Sequence, residues 1–404
     1  MKRKTPARIL VSLAAALLCG CGAPGKAVRK DVRESALDSL VQKKWKDYAK
    51  GKPGFKGEMS VFLRTPKGEH FGSTARQAGP GTHFRGASTT KTFTAAAIML
   101  LHQQGKLNID DKITALIPGQ DRAYVSDTED FAIPYKNQIT IRLLLDHRAG
   151  VWDVDNSTFP ATTRPPYPGQ SYIMMVQEED PDHDWIAGEQ AVAVAEHKLS
   201  SFPPGADYHY SDTGYTILAQ IVERVSRRRF DQFLRESFTV PNGLTETTFP
   251  YLGRDQKIPE PFLPGYSRMP AGVLESTEDN MSSHVGEGNV ITTPADLSKW
   301  VRLLVRGEAG LKPETVKMMT DVLPNKDGNY GLGLSLVPGA GYGHGGAHPG
   351  YLTMARYDPG SDVSAVVSCT MMDYVTTKDE MALLYDVIRD GRRLVGFPEA
   401  VQKE

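Results

Sequence analysis

Cysteine is scarce in this chain, with three residues in 404. Cys19 and Cys21 lie close to the start, which leaves Cys369 alone in the body of the sequence. With Cys21 modified and Cys19 removed, as argued below, no intramolecular disulfide can form, so a disulfide framework is excluded. Cys369 sits in the strand-like run 363–370, where a lone thiol behaves as a small buried apolar residue. Neither charge sign dominates: 47 basic residues face 48 acidic ones, for a net charge of −1. No basic stripe marks a nucleic-acid surface, so nucleic acid is not an expected partner. Internal repeats and low-complexity tracts are absent. The body also lacks any apolar segment long enough to span a bilayer. The ten-residue run Ile9–Leu18 is too short to do so.

That short run reads as an export signal instead. Lys2, Arg3, Lys4 and Arg8 form a basic region ahead of it. Leu18-Cys19-Gly20-Cys21 then resembles a bacterial lipobox, with Cys21 as the lipidated residue. An ordinary secretory signal is the alternative. Cleavage after residue 20 removes those four positive charges and takes the net charge from −1 to −5. The expectation is an exported bacterial lipoprotein, periplasmic or at the cell surface, held to a membrane only through its lipid. Residues 1–20 are then the signal peptide and 21–30 a tether.

Ser88-Thr89-Thr90-Lys91 opens the helical run Thr92–Leu101 and is the one place where a serine precedes a lysine by three. Residues three apart share a helix face, so the Lys91 amine can reach the Ser88 hydroxyl. Backbone N–H groups at a helix start favour negative charge beside that hydroxyl. A nucleophile, a base and an anion-stabilising donor within one turn suit acyl transfer through a serine ester. Two further elements follow in order. Tyr210-Ser211-Asp212 lies behind a Pro-Pro-Gly turn, and His344-Gly345-Gly346-Ala347 lies in a glycine-rich stretch.

With these three motifs the chain resembles the serine hydrolases related to class C β-lactamases, D-alanyl-D-alanine carboxypeptidases and their esterase relatives. That family carries Ser-x-x-Lys, Tyr-x-Asn, then Lys-Thr-Gly or His-x-Gly, in this order. Gly105–Lys112, Leu143–Gly150 and Asn289–Leu297 also have family character, so the likeness runs from about Ser60 to about Ile388. Three decoys fit by letter alone. Tyr135-Lys136-Asn137 lacks the turn and the following helix, and is read as an ordinary loop or core tyrosine. His70-Phe71-Gly72 precedes Ser88, and His348-Pro349-Gly350 is assigned to the same loop as His344.

The resemblance implies Ser88 as nucleophile, Lys91 and Tyr210 as the two candidate bases, and the amides of Ser88 and Ala347 as oxyanion donors. Gly345 and Gly346 would let an extended substrate lie against a strand edge. Asp212 departs from the usual asparagine: an ionised carboxylate only accepts hydrogen bonds, and near Lys91 it favours the ammonium. It therefore biases proton abstraction toward Tyr210, or else simply caps the next helix. His344, where many relatives carry lysine, would relay a proton with Tyr210 or orient a substrate carboxylate. His147 is expected to hold a turn by hydrogen bonds. The acidic run 178–185 lacks the spacing of a metal loop, so no metal and no cofactor is expected. The segment 152–186 reads as a long loop at the cleft mouth.

The fold class expected is α/β (α+β), of the β-lactamase and DD-peptidase type. One antiparallel sheet arises from N-terminal strands near 59–64 and 69–72 and C-terminal strands near 330–336, 351–357 and 364–368. Helices flank it, at about 31–49 and 377–391, and a mostly helical lobe holds helices near 187–198, 212–226 and 294–306. The sheet lobe covers 31–90 and 300–395, and the helical lobe 91–299. The function expected is hydrolysis through an acyl-enzyme, on D-alanyl cell-wall peptides, D-amino-acid amides, esters or β-lactams. A broad esterase, or a penicillin-binding sensor with little turnover, are the alternatives.

Overall fold

Apolar and polar residues alternate along the strands near both ends of the chain, and these strands meet in one sheet. The computed structural model describes residues 32–160, 163, 171–255 and 257–398. Its main sheet has eight antiparallel strands, ordered Gly68–Ser73, Met59–Thr65, Val363–Cys369, Tyr351–Asp358, Gly341–His348, Ser335–Val337, Gly328–Tyr330 and Leu323–Asn325. The N- and C-terminal parts join where Met59 faces Cys369 and Arg64 faces Ser364.

Period-two patterning gives each face its own core. Met59, Val61, Leu63, Ala365, Val367 and Cys369 point to one side. There they pack with Leu37 and Val41 of the Val32–Ala49 helix and with Leu384 and Ile388 of the Thr377–Leu394 helix. Ala355, Tyr357 and Val366 point to the other side, toward the Pro294–Arg306 helix and the bulk of the chain. That core runs without a break from the sheet into the helical region. Its centre is the Thr90–Gln103 helix, apolar on nearly every face and buried accordingly. Phe93 on this helix stacks on Trp300 at 3.9 Å between ring centroids, and the Trp300 indole N–H donates to Thr92 Oγ1 at 2.8 Å. The nucleophile helix is thereby clamped to the helix that lies on the sheet.

Among the described residues, four short strands between 84 and 292 lie where the sequence pattern shows none, and the C-terminal Met371–Asp373 joins two of them. Phe84–Ala87 pairs with Val290–Thr292, and Tyr266–Met269 lies between Gly272–Glu275 and Met371–Asp373. Three or four residues are too few to display an alternation. The strand expected at 330–336 is broken in two: Gly331 N–H donates to Leu334 O at 2.8 Å, and Gly333 sits at φ +75°. Gly333 is required there, because a β-carbon would lie 2.3 Å from Ala95 Cβ and 3.0 Å from Lys91 O.

The segment 152–186 is not all loop. Tyr172–Glu179 is a helix, its N-terminus capped by Ser171 Oγ, which accepts from Met174 N. Its proline-rich part, 164–170, lies outside the described residues, as do the signal peptide, Cys21 and the tether. Tyr135 is an exposed loop residue at φ +57°, and Cys369 is buried in its strand. His348 is not in a loop. It ends the Gly341–His348 strand, buried against Asp279 at 2.7 Å.

Candidate active site

The Phe84–Ala87 strand delivers the chain to Ser88 through a turn that threonines hold shut. Thr89 Oγ1 donates to Gly86 O and Thr90 Oγ1 to Ala87 O, both at 2.8 Å. Ser88 is the one partly exposed residue between Thr82 and Met99. Lys91, one turn on, is fully buried. Its ammonium donates to Ser88 Oγ at 3.1 Å and to Glu287 O at 2.9 Å, and lies 2.5 Å from Asp212 Oδ1.

Tyr210 and Asp212 come from the start of the Asp212–Ser226 helix. Ser211, not Asp212, caps that helix: its Oγ accepts from Gly214 N at 3.1 Å. Asp212 is thus free to turn to Lys91, and Asn156 Nδ2 donates to its other oxygen at 2.6 Å. Lys91 Nζ stands 4.9 Å from the Tyr210 ring centre. His147 supports this arrangement as a turn-holder. Its Nδ1 accepts from Ser211 N at 3.1 Å, and its ring lies 4.2 Å from that of Tyr210. Burial and the Lys91 cation hold His147 neutral.

Electrostatics keep the proton on both candidate bases. Burial acts against charge on Lys91, but Asp212, Tyr210 and Glu287 outweigh it and keep the amine well above its ordinary value. Lys91 is therefore an ammonium. Burial likewise raises the Tyr210 phenol, against the pull of Lys91.

His344 sits on the Gly341–His348 strand, with its ring 6.2 Å from that of Tyr210. Both of its nitrogens are already engaged. Nδ1 lies 2.5 Å from Gly345 O, which can only accept, so Nδ1 carries the proton. Nε2 then accepts from the Tyr330 hydroxyl at 2.9 Å. Burial, together with Lys91, pushes the imidazole down to about 3, so it stays neutral. In this arrangement both His344 nitrogens are taken by Tyr330 and Gly345 O, which leaves neither for a hydrogen bond with Tyr210.

The pairing of this strand with Ser335–Val337 ends at Gly343, so residues 344–348 have a sheet partner on one side only. The other edge faces the turn before Ser88. A β-carbon on Gly346 would lie 2.3 Å from Gly86 O. The glycine lets the edge approach closely enough to set the exposed Ala347 beside the nucleophile turn, and an extended substrate can add to such an edge. Gly346→Ala is expected to push the strand off the turn. The overpacking costs about 1–3 kcal/mol in a urea titration. The displaced edge lowers kcat/KM by at least about tenfold.

Glu287 is the residue the motifs do not announce. It lies between Gly286 and Gly288, and its carboxylate is 3.8 Å from Lys91 Nζ and 2.6 Å from His284 Nδ1. Gly286, at φ +90°, touches the Asp212–Ser226 helix so closely that a β-carbon would fall 2.5 Å from Ala219 Cβ. The only signal was the Gly-Glu-Gly spacing just before Asn289. Asp155 and Asp153 complete an acidic wall. Burial and then Asp212 push Asp153 up to about 7. Burial also raises Asp155, although His284 opposes it. His284, with Asp155 and Glu287 or with Asp279 and His348, brings three ligand-type side chains within 4.8 Å, away from the acidic run 178–185. Its carboxylate partners already meet it as ion pairs, at 2.6 Å to Glu287 and 3.7 Å to Asp155.

Known proteins place this geometry. The Beta-lactamase family model matches residues 64–387. A protein named "Putative D-alanyl-D-alanine carboxypeptidase" from Escherichia coli (strain K12) is 28% identical over 282 residues, 64% of this chain and 59% of its own length. The chain thus spans less than two thirds of that relative. Among solved structures, a D-stereospecific amidohydrolase from Streptomyces sp. superimposes with a TM-score of 0.67 at 24% identity, covering 84% of this chain and 93% of that one. The D-amino acid amidase from Ochrobactrum anthropi SV3, complexed with D-phenylalanine, gives 0.69 at 21% identity, covering 89% and 99%. At these identities the structural likeness is one of fold. The match of the family model over most of the chain shows that this protein belongs to the beta-lactamase family of serine hydrolases.

Proposed function

We propose that the protein is an acyl-transferring hydrolase whose nucleophile is Ser88 and whose substrates are D-amino-acid amides, D-alanyl peptides or related esters. The observation that carries this reading is the contact of the buried Lys91 ammonium with Ser88 Oγ at 3.1 Å, next to a strand that has a sheet partner on one side only from His344 to His348. Ser88 Oγ attacks the substrate carbonyl as its proton passes to the Tyr210 oxygen, present as phenolate in the reactive form. Lys91 stabilises that phenolate. The tetrahedral oxyanion is held by the Ser88 and Ala347 amides. Tyr210 then returns the proton to the leaving nitrogen or oxygen, and water releases the acyl group by the same steps in reverse order. A neutral His344 in place of a cation favours amide and ester substrates over β-lactams.

Intact-mass spectrometry after acid quench tests this reading, with D-phenylalanine amide, a p-nitrophenyl ester and a penicillin as acyl donors. An acyl adduct on the parent protein and none on Ser88→Ala is expected. An adduct that persists in Ser88→Ala refutes it. A stable penicillin adduct without turnover would instead favour a penicillin-binding sensor.

We also propose that the protein is exported and anchored through a lipid on Cys21, on the strength of the Leu18–Cys21 motif after a basic and apolar leader. Among the described residues no helix is long and apolar enough to cross a membrane. Cys21→Ala is expected to move the protein from the membrane fraction to the soluble one. An unchanged distribution would rule the anchor out.

A further inference from the structure

Asp279 and His348 take no part in the acyl-transfer steps, yet they meet a third side chain of the metal-ligating kind. A carboxylate oxygen of Asp279 and a ring nitrogen each of His284 and His348 all lie within 4.8 Å of one another. His348 ends the Gly341–His348 strand, and His284 ends the short helix Met281–His284, whose start Asn280 caps by accepting from Ser282 N. The two imidazoles stand 5.0 Å apart between ring centroids and nearly at right angles, at 88°. Both are buried, with 4% of the His348 side chain and 7% of the His284 side chain exposed. Asp279, at 16%, keeps a path to solvent.

Two of the three are held from outside the cluster. Gln177 Nε2, on the Tyr172–Glu179 helix, donates to Asp279 Oδ1 at 3.2 Å, which leaves Oδ2 for another partner. Glu287 and Asp155 both meet His284 at Nδ1, at 2.6 and 3.7 Å, which leaves Nε2. Outer partners of this kind fix the tautomer and orientation of the ligands in metal sites. His348 carries the independent observation. Its Nε2 is buried and makes no hydrogen bond among the described residues. Asp279 Oδ2 is 2.7 Å away but not aligned as the acceptor of a ring N–H. Buried polar atoms normally have a partner. An ion bound by both atoms would satisfy Oδ2 and Nε2 together.

We propose that Asp279, His284 and His348 form a binding site for one divalent transition-metal ion of the zinc class, with Gln177 and Glu287 supporting two of the ligands. Two imidazoles and one carboxylate suit Zn²⁺ better than Ca²⁺ or Mg²⁺, which take oxygen ligands. Zinc holds such atoms at about 2.0–2.2 Å, hence roughly 3.3 Å from one another, and side-chain rotations of an ångström or so close the present spacing to that. Binding displaces the proton from His284 Nε2. A fourth position stays open to water. The other grouping, Asp155 and Glu287 with His284, is already closed by the ion pair at Nδ1. The ion would tie the end of the strand that carries Ala347 to a helix that stops three residues before Glu287. Through Gln177 it would also tie in the Tyr172–Glu179 helix. The site stands independently of the acyl-enzyme reading of Ser88.

The test is a calorimetric titration of the full chain with Zn²⁺ after a chelator has stripped it of metal. One equivalent is expected to bind with a Kd of about 10 µM or tighter. Saturating Zn²⁺ should raise the melting temperature by several degrees. His348→Gln and Asp279→Asn are each expected to remove that equivalent and the shift, and Gln177→Leu to weaken binding about 10–100-fold. Asp155→Asn should leave binding in place. A melt in metal-free buffer checks that each variant folds. Co²⁺ on the parent protein gives a reading that needs no variant: the intense visible absorption of a four-coordinate site is expected. The proposal is overturned if the parent binds Zn²⁺ more weakly than about 10 µM, or if the equivalent survives both His348→Gln and Asp279→Asn. It is also overturned if Asp155→Asn removes the equivalent while His348→Gln does not, which assigns the metal to the other grouping. A weak, octahedral Co²⁺ spectrum counts against it in the same way.

Discussion

Ser88→Ala is expected to lower kcat by at least about 10⁴-fold on any substrate the protein cleaves, while leaving the fold intact. The loss is that large because the serine oxygen forms the covalent bond, and neither the strand edge nor Lys91 can substitute for it. The residual rate comes from the oxyanion donors and binding alone. Stability should change little. Ser88 is partly exposed, and the turn around it is held by Thr89 and Thr90 through their own bonds to Gly86 and Ala87. Stopped-flow or steady-state kinetics beside a thermal melt check both halves. A variant that unfolds, or one that keeps more than about a hundredth of the parent rate, would contradict the assignment.

Asp212→Asn is expected to produce the largest change in pH dependence. In the parent, Lys91 is held as an ammonium and the Tyr210 phenol is raised by burial. Below the phenol pKa, the reactive phenolate gains tenfold for each pH unit, so kcat/KM should climb from neutral pH past 10 without a plateau. Removing the Asp212 carboxylate takes away the strongest force that keeps the Lys91 proton in place. Burial, the largest opposing influence, then draws the lysine down. A neutral amine becomes available as base, and the rising limb should move to lower pH by at least about one unit.

The same substitution weakens the fold. A group whose native pKa is raised adds stability below its unfolded pKa and loses it as pH rises through the native value. Lys91 therefore stabilises the parent throughout the neutral range, and breaking its buried pair should cost about 3–5 kcal/mol there. Urea titrations at neutral pH measure that loss. An unshifted pH–rate profile would mean that Asp212 does not govern the base.

Ser88 and Lys91 could be read from sequence because their meeting is local: one turn joins them. Tyr210 and His344 could be read from the order of their motifs and the turns around them. The strands at 59–65, 351–358 and 363–369 are long enough to detect, and lie inside the sheet with both faces buried. Such features depend on spacing along the chain, and spacing is what a sequence contains.

The remaining features follow from contacts between distant segments. Phe84–Ala87 and Val290–Thr292 are strands only because they meet, each too short to declare itself. Glu287 reaches Lys91 across 196 positions, because Gly286 lets its loop press on the Asp212–Ser226 helix. The tautomer of His344 is set by Tyr330 and Gly345 O, one of them 14 positions away in the chain. Whether Asp212 would cap a helix or grip a lysine was open in the sequence. The tertiary fold decided it, because Ser211 took the cap and the buried Lys91 ammonium required a counter-charge within reach.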